Sequence, residues 1–107
     1  MTISFEDFKK VSLKIARIKE VKDHPDADRL YVLTVEIGEE TRELVAGIKK
    51  AYKPEELKDK LVVVVDNLQP AVIRGVESNG MVLATQDGDT LAVLTPEKPV
   101  SSGSPVK

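Results

Sequence analysis

A chain of 107 residues with 41% apolar content has room for one modest hydrophobic core, which excludes a multidomain enzyme and a disordered tail alike. It has no cysteine, so disulfides and thiolate zinc sites are excluded. Sixteen Lys/Arg against 18 Asp/Glu leave a formal charge of −2, too little to draw in a polyanion from a distance. Any nucleic-acid binding must therefore come from a local patch and from shape.

The N-terminus, MTISFEDFKK, lacks the apolar stretch of a signal peptide, and it reads as a short helix. Ser4 is the expected N-cap, Glu6 and Asp7 suit the positive end of the helix dipole, and Phe5 and Phe8 share one face. From Val11 to Val21 the apolar residues Val11, Leu13 and Ile15 alternate with polar ones, and the pattern resumes at Ile18. The slip between Ile15 and Ile18 predicts a bulge in a long strand. Tyr31, Leu33, Val35 and Ile37 mark a half-buried strand, and Gly38-Glu39-Glu40-Thr41 turns it into a third, around Arg42 to Ile48. Pro54-Glu55-Glu56-Leu57 is a helix start, since proline in the first turn gives up no needed donor. Leu61 to Val65 is β-branched on both faces, hence a strand buried on both sides, and far too short to cross a bilayer. Gly80 to Thr85 and Leu91 to Leu94 are expected to pair across Asp87-Gly88. Short strands with one helix between the third and fourth predict a small closed barrel, and a cytoplasmic protein is the default expectation.

Two segments bear on chemistry. His24-Pro25-Asp26-Ala27-Asp28, with Asp23 beside it, gathers one imidazole and several carboxylates. A metal site needs convergent ligands, whereas proline and Asx residues shape turns by themselves, so the turn is the preferred reading. Ser78 lies in no Gly-x-Ser-x-Gly pattern, one histidine leaves few options for a general base, and glycine-rich phosphate loops are missing. No catalysis, metal or cofactor is expected. Asn67 to Met81 is a long, polar, glycine-punctuated link between two apolar strands, and it reads equally as a connector and as a functional loop. Within it, Arg74 could meet a phosphate and Met81 could lie against a base or sugar. Two Phe and two Tyr supply an aromatic stacking platform poorly. Tyr31 is the best stacking candidate, but its place in an apolar alternation assigns it to the core.

Read together, these segments resemble the tRNA-binding domain family. The likeness runs from Asp7-Phe8-x-Lys10-Val11 through His24-Pro25-x-Ala27-Asp28-x-Leu30-Tyr31, Val45-Ala46-Gly47-Ile48 and Tyr52-x-Pro54-Glu55-Glu56-Leu57. It continues through Val62 to Val65 and Asn67-Leu68-x-Pro70, and is most specific at Arg74-Gly75-x-Glu77-Ser78-x-Gly80-Met81-x-Leu83-Ala84. The resemblance implies a single domain over residues 1–107: an oligonucleotide-binding barrel of five strands, with short helices and an added C-terminal β extension. Family members occur as the C-terminal part of methionyl-tRNA synthetases, as stand-alone proteins and in synthetase cofactors. They hold tRNA by its L-shape, largely regardless of sequence.

The tRNA contacts that the resemblance implies fall on Arg29, Asn67, Arg74, Ser78 and Met81. Arg29 keeps the charge of the lysine common at that position. Many relatives are basic where this chain has Ala71 and Val72, which puts affinity in question. Single-domain members are homodimers, and Phe5 and Phe8 have few places to hide in so small a barrel. They are expected against the C-terminal stretch or a partner subunit. Composition reads Ser101 to Lys107 as a frayed tail, whereas the resemblance implies an ordered one. An initiating methionine and no catalytic domain fit a stand-alone subunit serving methionyl-tRNA synthetase. A chaperone-like or protein-interaction module of the same fold is the alternative.

Overall fold

In the computed structural model, which covers residues 1–107, the longest strand is β1 (Leu13–Asp23), and it organises the rest. Its first half pairs antiparallel with β4 (Leu61–Val65) and its second half with β2 (Tyr31–Ile37). A strand that serves two partners in succession must bend, and here the register slips between Ile18 and Glu20, leaving Lys19 as the extra residue. The bulge exists, but it lies beyond the interval the alternation marked. Ala16 and Ile18 face the main core and Val21 packs against it, so the change of face follows Ile18. Ile15 points to the opposite surface, where it lines a hollow with Val63, Pro96 and Val100. The apparent slip in the sequence thus reflects two different apolar surfaces.

Tyr31, Leu33, Val35 and Ile37 of β2 all enter the core, as their alternation predicts. Gly38-Glu39 forms a two-residue turn into β3 (Glu40–Ala46), pairing Ile37 with Glu40. Helix α1 (Phe5–Phe8) is capped by Ser4, whose hydroxyl accepts from Asp7 N at 3.0 Å. Helix α2 (Pro54–Leu57) is fixed by the Glu56 carboxylate accepting from Lys53 N at 2.7 Å, and it sinks Leu57 into the core. Strand β4 is buried on both faces: Val62 and Val64 join the core, while Val63 and Val65 are covered from the other side.

The segment from Asn67 to Met81 is not an open loop. It folds into a hairpin of β5 (Ala71–Ile73) and β6 (Val76–Ser78) before β7 (Met81–Val82) returns to pair with β4. The main sheet therefore runs β3-β2-β1-β4-β7 and curls into a half-barrel whose end strands approach each other. Asn79 N donates to Glu43 O at 2.9 Å, and Val45 N donates to the Ser78 hydroxyl at 2.9 Å. The Arg42 guanidinium adds bonds across the same seam, to Asp66 O and Asn79 O. Burial raises the Asp66 carboxyl, but the Ser12 side chain and the Lys14 ammonium at 3.2 Å outweigh it and hold the acid below its ordinary range.

The last hairpin joins β8 (Ala84–Asp87) to β9 (Thr90–Val93) with Gly88-Asp89 as the turn, one residue later than expected. Residues 80–85 do not form one strand: β7 ends at Val82 and β8 begins at Ala84, and between them Leu83 N still donates to Val63 O of β4 while Leu83 O accepts from Leu94 N. The C-terminal stretch is ordered, against its composition. Ile15 N donates to Ser104 O, Gly103 N donates to Ile15 O, and β10 (Pro105–Val106) pairs with Leu13 and Lys14 of β1. The unpaired edge of β1 supplies the partners that a free tail would lack. No helix is long and apolar enough to cross a membrane.

Candidate nucleic-acid interface

Arg29 and Arg74 are far apart in sequence, yet they border the same shallow depression of about 420 Å³, together with Asp26, Ala27, Asp28 and Leu30. Arg29 stands on the connection between β1 and β2. Arg74 stands on the turn of the β5–β6 hairpin, where it and Gly75 have φ of 53° and 89°, the geometry of a mirror-image two-residue hairpin turn. The Arg74 guanidinium donates to Asp26 O at 3.1 Å. Neither arginine enters an ion pair within the chain, although five other basic residues do. Two exposed guanidiniums outside any ion pair, held on adjoining loops beside Asp26 and Asp28, are suited to bidentate contact with phosphate oxygens.

His24 ties the two loops together, a role that the sequence did not suggest. The residue is only 5% exposed. Nδ1 accepts from Asp26 N at 3.0 Å, which leaves Nε2 to carry the proton and donate to Ile73 O at 2.9 Å. Nδ1 is thus engaged within the turn, the preferred sequence reading, while Nε2 reaches out of it to the β5–β6 hairpin. The available signal was the chain's single histidine beside a strand end, too weak to assign a partner 49 residues away.

The other residues singled out from the sequence are dispersed. Met81 lies exposed on β7, opposite Val65. Ser78 is 4% exposed; its hydroxyl accepts from Val45 N and donates to Gly80 O, so its proton is spent inside the fold and its side chain is buried away from a ligand. Asn67 Oδ1 accepts from Ser12 N at 2.9 Å and its Nδ2 donates to Lys10 O at 2.7 Å, which fastens the N-terminal segment to the end of β4. Tyr31 is enclosed in the core and its hydroxyl donates to Tyr52 O at 2.7 Å; burial, then the Asp23 carboxylate, push the phenol above its ordinary range. Ala71 and Val72 lie on exposed β5, so the missing positive charges leave an apolar strip beside Arg74.

A second surface is apolar. Phe5 and Phe8 remain 71% and 42% exposed. With Val11, Leu13, Pro105 and Val106 they line a groove of about 410 Å³ between α1 and the C-terminal strand. The expected packing of the two rings on the C-terminal stretch is therefore partial, and much of both remains uncovered.

Residues 13–105 match the profile of a family described as "Putative tRNA binding domain". The chain is 54% identical over 105 residues to the methionine–tRNA ligase of Pyrococcus horikoshii, a match that takes in 98% of this chain and 14% of that protein. The chain thus spans about one seventh of the length of such relatives. A solved MetRS-related protein from Pyrococcus horikoshii superposes with a TM-score of 0.92 at 30% identity, covering 100% of this chain and 99% of the other. The CsaA chaperone protein of Picrophilus torridus also gives 0.92 at 30% identity, over 99% and 100% of the two chains.

Proposed function

The chain belongs to the tRNA-binding domain family, and on that premise we propose that it is a non-catalytic, oligonucleotide-binding barrel of one domain that holds tRNA for a methionine–tRNA ligase in the cytoplasm. The observation that carries this reading is the pair Arg29 and Arg74, outside any ion pair and gathered at one depression. In barrels of this type, the connection between the first two strands and the link before the last one flank the nucleic-acid groove. These are the two loops that bear the arginines. Met81 adds an apolar contact from β7, whereas Ser78 and Asn67 act by holding the strands that frame the site. With so few positive groups, recognition rests on the shape of the RNA.

Filter binding of bulk tRNA and of an RNA duplex of equal length tests this directly. The protein is expected to retain tRNA in preference, with log affinity falling against log salt at a slope of roughly −2 to −5 per dimer, from about 0.9 per phosphate contact. Equal retention of the duplex, a salt-insensitive complex, or none at about 50 mM salt overturns the reading.

The protein acts as a homodimer in this proposal, the Phe5–Phe8 groove of one copy covering that of another. Exposed phenylalanines forgo about 1.5–3 kcal/mol each relative to burial, which favours a covered groove. Replacing Phe5 and Phe8 by Ser is expected to yield a folded monomer in sedimentation, and a wild-type protein that is monomeric at micromolar concentration refutes the dimer. The second reading, a chaperone-like module, is favoured by the equal likeness to the CsaA protein. It predicts that unfolded peptide displaces bound tRNA.

A further inference from the structure

We propose that His24 is a positioning residue for RNA binding: its imidazole locks the β5–β6 hairpin onto the β1–β2 connection and so presents Arg74 and Arg29 as one phosphate clamp. The inference rests on the tRNA reading above. The hairpin carrying Arg74 is short, only three residues to a strand, and β5 has no other sheet partner. Two links hold its tip. His24 Nε2–H donates to Ile73 O at 2.9 Å, and Arg74 donates to Asp26 O at 3.1 Å. Both depend on one turn, because the same Asp26 donates its N–H to His24 Nδ1 at 3.0 Å. Remove the imidazole and Ile73 O loses its link to the β1–β2 connection while the Asp26 carbonyl loses the bond that orients its residue. The two arginines then move independently, and a phosphate must meet them one at a time.

The lock works only with neutral imidazole. A second ring proton at Nδ1 would face the Asp26 N–H, donor against donor, so protonation opens the lock. Charged groups on the surrounding elements are Asp23, Asp26, Asp28 and Arg29 on its own segment, Arg74 and Glu77 on the hairpin, and Lys49, paired with Asp23 at 3.1 Å.

The test is tRNA affinity measured against salt at neutral pH, for the full chain and two variants, with circular dichroism for folding. His24→Asn keeps an acceptor where Nδ1 stands but is too short to reach Ile73 O; His24→Gln can reach that carbonyl with its amide. At neutral pH, His24→Asn is expected to bind about tenfold more weakly with a salt slope shallower by about one, and His24→Gln to recover part of both. A folded His24→Asn with wild-type affinity and slope overturns the proposal. Should His24→Asn fail to fold, a folded His24→Ala takes its place with the same expected and overturning results. Wild-type protein that binds no tRNA at any salt overturns the functional reading itself, and this inference with it.

Discussion

Gly80→Ala is expected to cost about 3 kcal/mol or more, from backbone strain of about 1–3 kcal/mol together with a steric clash. Gly80 has φ of 133°, a region that L side chains rarely adopt, and a Cβ there would stand 2.9 Å from Val65 O and 3.1 Å from a Leu44 methyl. Val65 O belongs to the central ladder and Leu44 is fully buried, so neither neighbour can yield cheaply. The position also follows Ser78 and Asn79, whose bonds to Val45 and Glu43 join the two ends of the curled sheet. Against a typical total stability of about 5–15 kcal/mol, such a loss leaves a marginal fold. Gly75 is the internal control. It too has positive φ, at 89°, but a Cβ there meets nothing within 4 Å, so Gly75→Ala should cost only about 1 kcal/mol. Ser78→Ala falls between them, because it leaves the buried Val45 N–H unpaired at about 1–3 kcal/mol. Urea denaturation of the three variants checks the order. A Gly80→Ala protein no less stable than Gly75→Ala would remove the argument for a rigid seam.

The largest functional effect is expected from the double substitution Arg29→Ala with Arg74→Ala. Each single change should weaken tRNA binding by about tenfold and flatten the salt slope by about one, because each removes one charge-assisted phosphate contact. Together they should approach a hundredfold loss at low salt. The two groups share one depression, so their energies need not add in full. Both side chains are exposed and outside the core, so melting should change little. Met81→Ala is the uncharged comparison: affinity falls while the slope stays at its wild-type value. Unchanged affinity in a folded double mutant would place the RNA elsewhere on the barrel.

The two predictions also separate residues that sequence motif alone groups together. Ser78, Gly80 and Arg74 lie within one continuous signature, yet the first two are inside the seam and the third is outside it. A motif records that residues are required, whereas burial and hydrogen-bond partners say for what. Arg74→Ala should therefore lose affinity at constant stability. Ser78→Ala should lose stability first, with affinity following only where the seam loosens.

By itself the sequence determined the elements whose signals are local. The alternation of Tyr31 to Ile37, the β-branched run of Leu61 to Val65, proline in the first turn of α2 and the Ser4 cap all act within a few residues, and each appears where it was expected. The family resemblance likewise carried the ordered C-terminal stretch, which composition had read as frayed. Tertiary structure decided whatever depended on partners far along the chain. The bulge of β1 sits at Lys19 because the strand must leave β4 for β2, a constraint invisible in the alternation of one strand. The hairpin of residues 71–78 is tied to the β1–β2 connection by His24 and Arg74, which meet groups about fifty residues away, and Ile15 is covered by a chain end almost ninety residues later. Such contacts repay the entropy of closing long loops only when the whole barrel is assembled. For that reason Arg29 and Arg74 come together at one depression only in the folded protein.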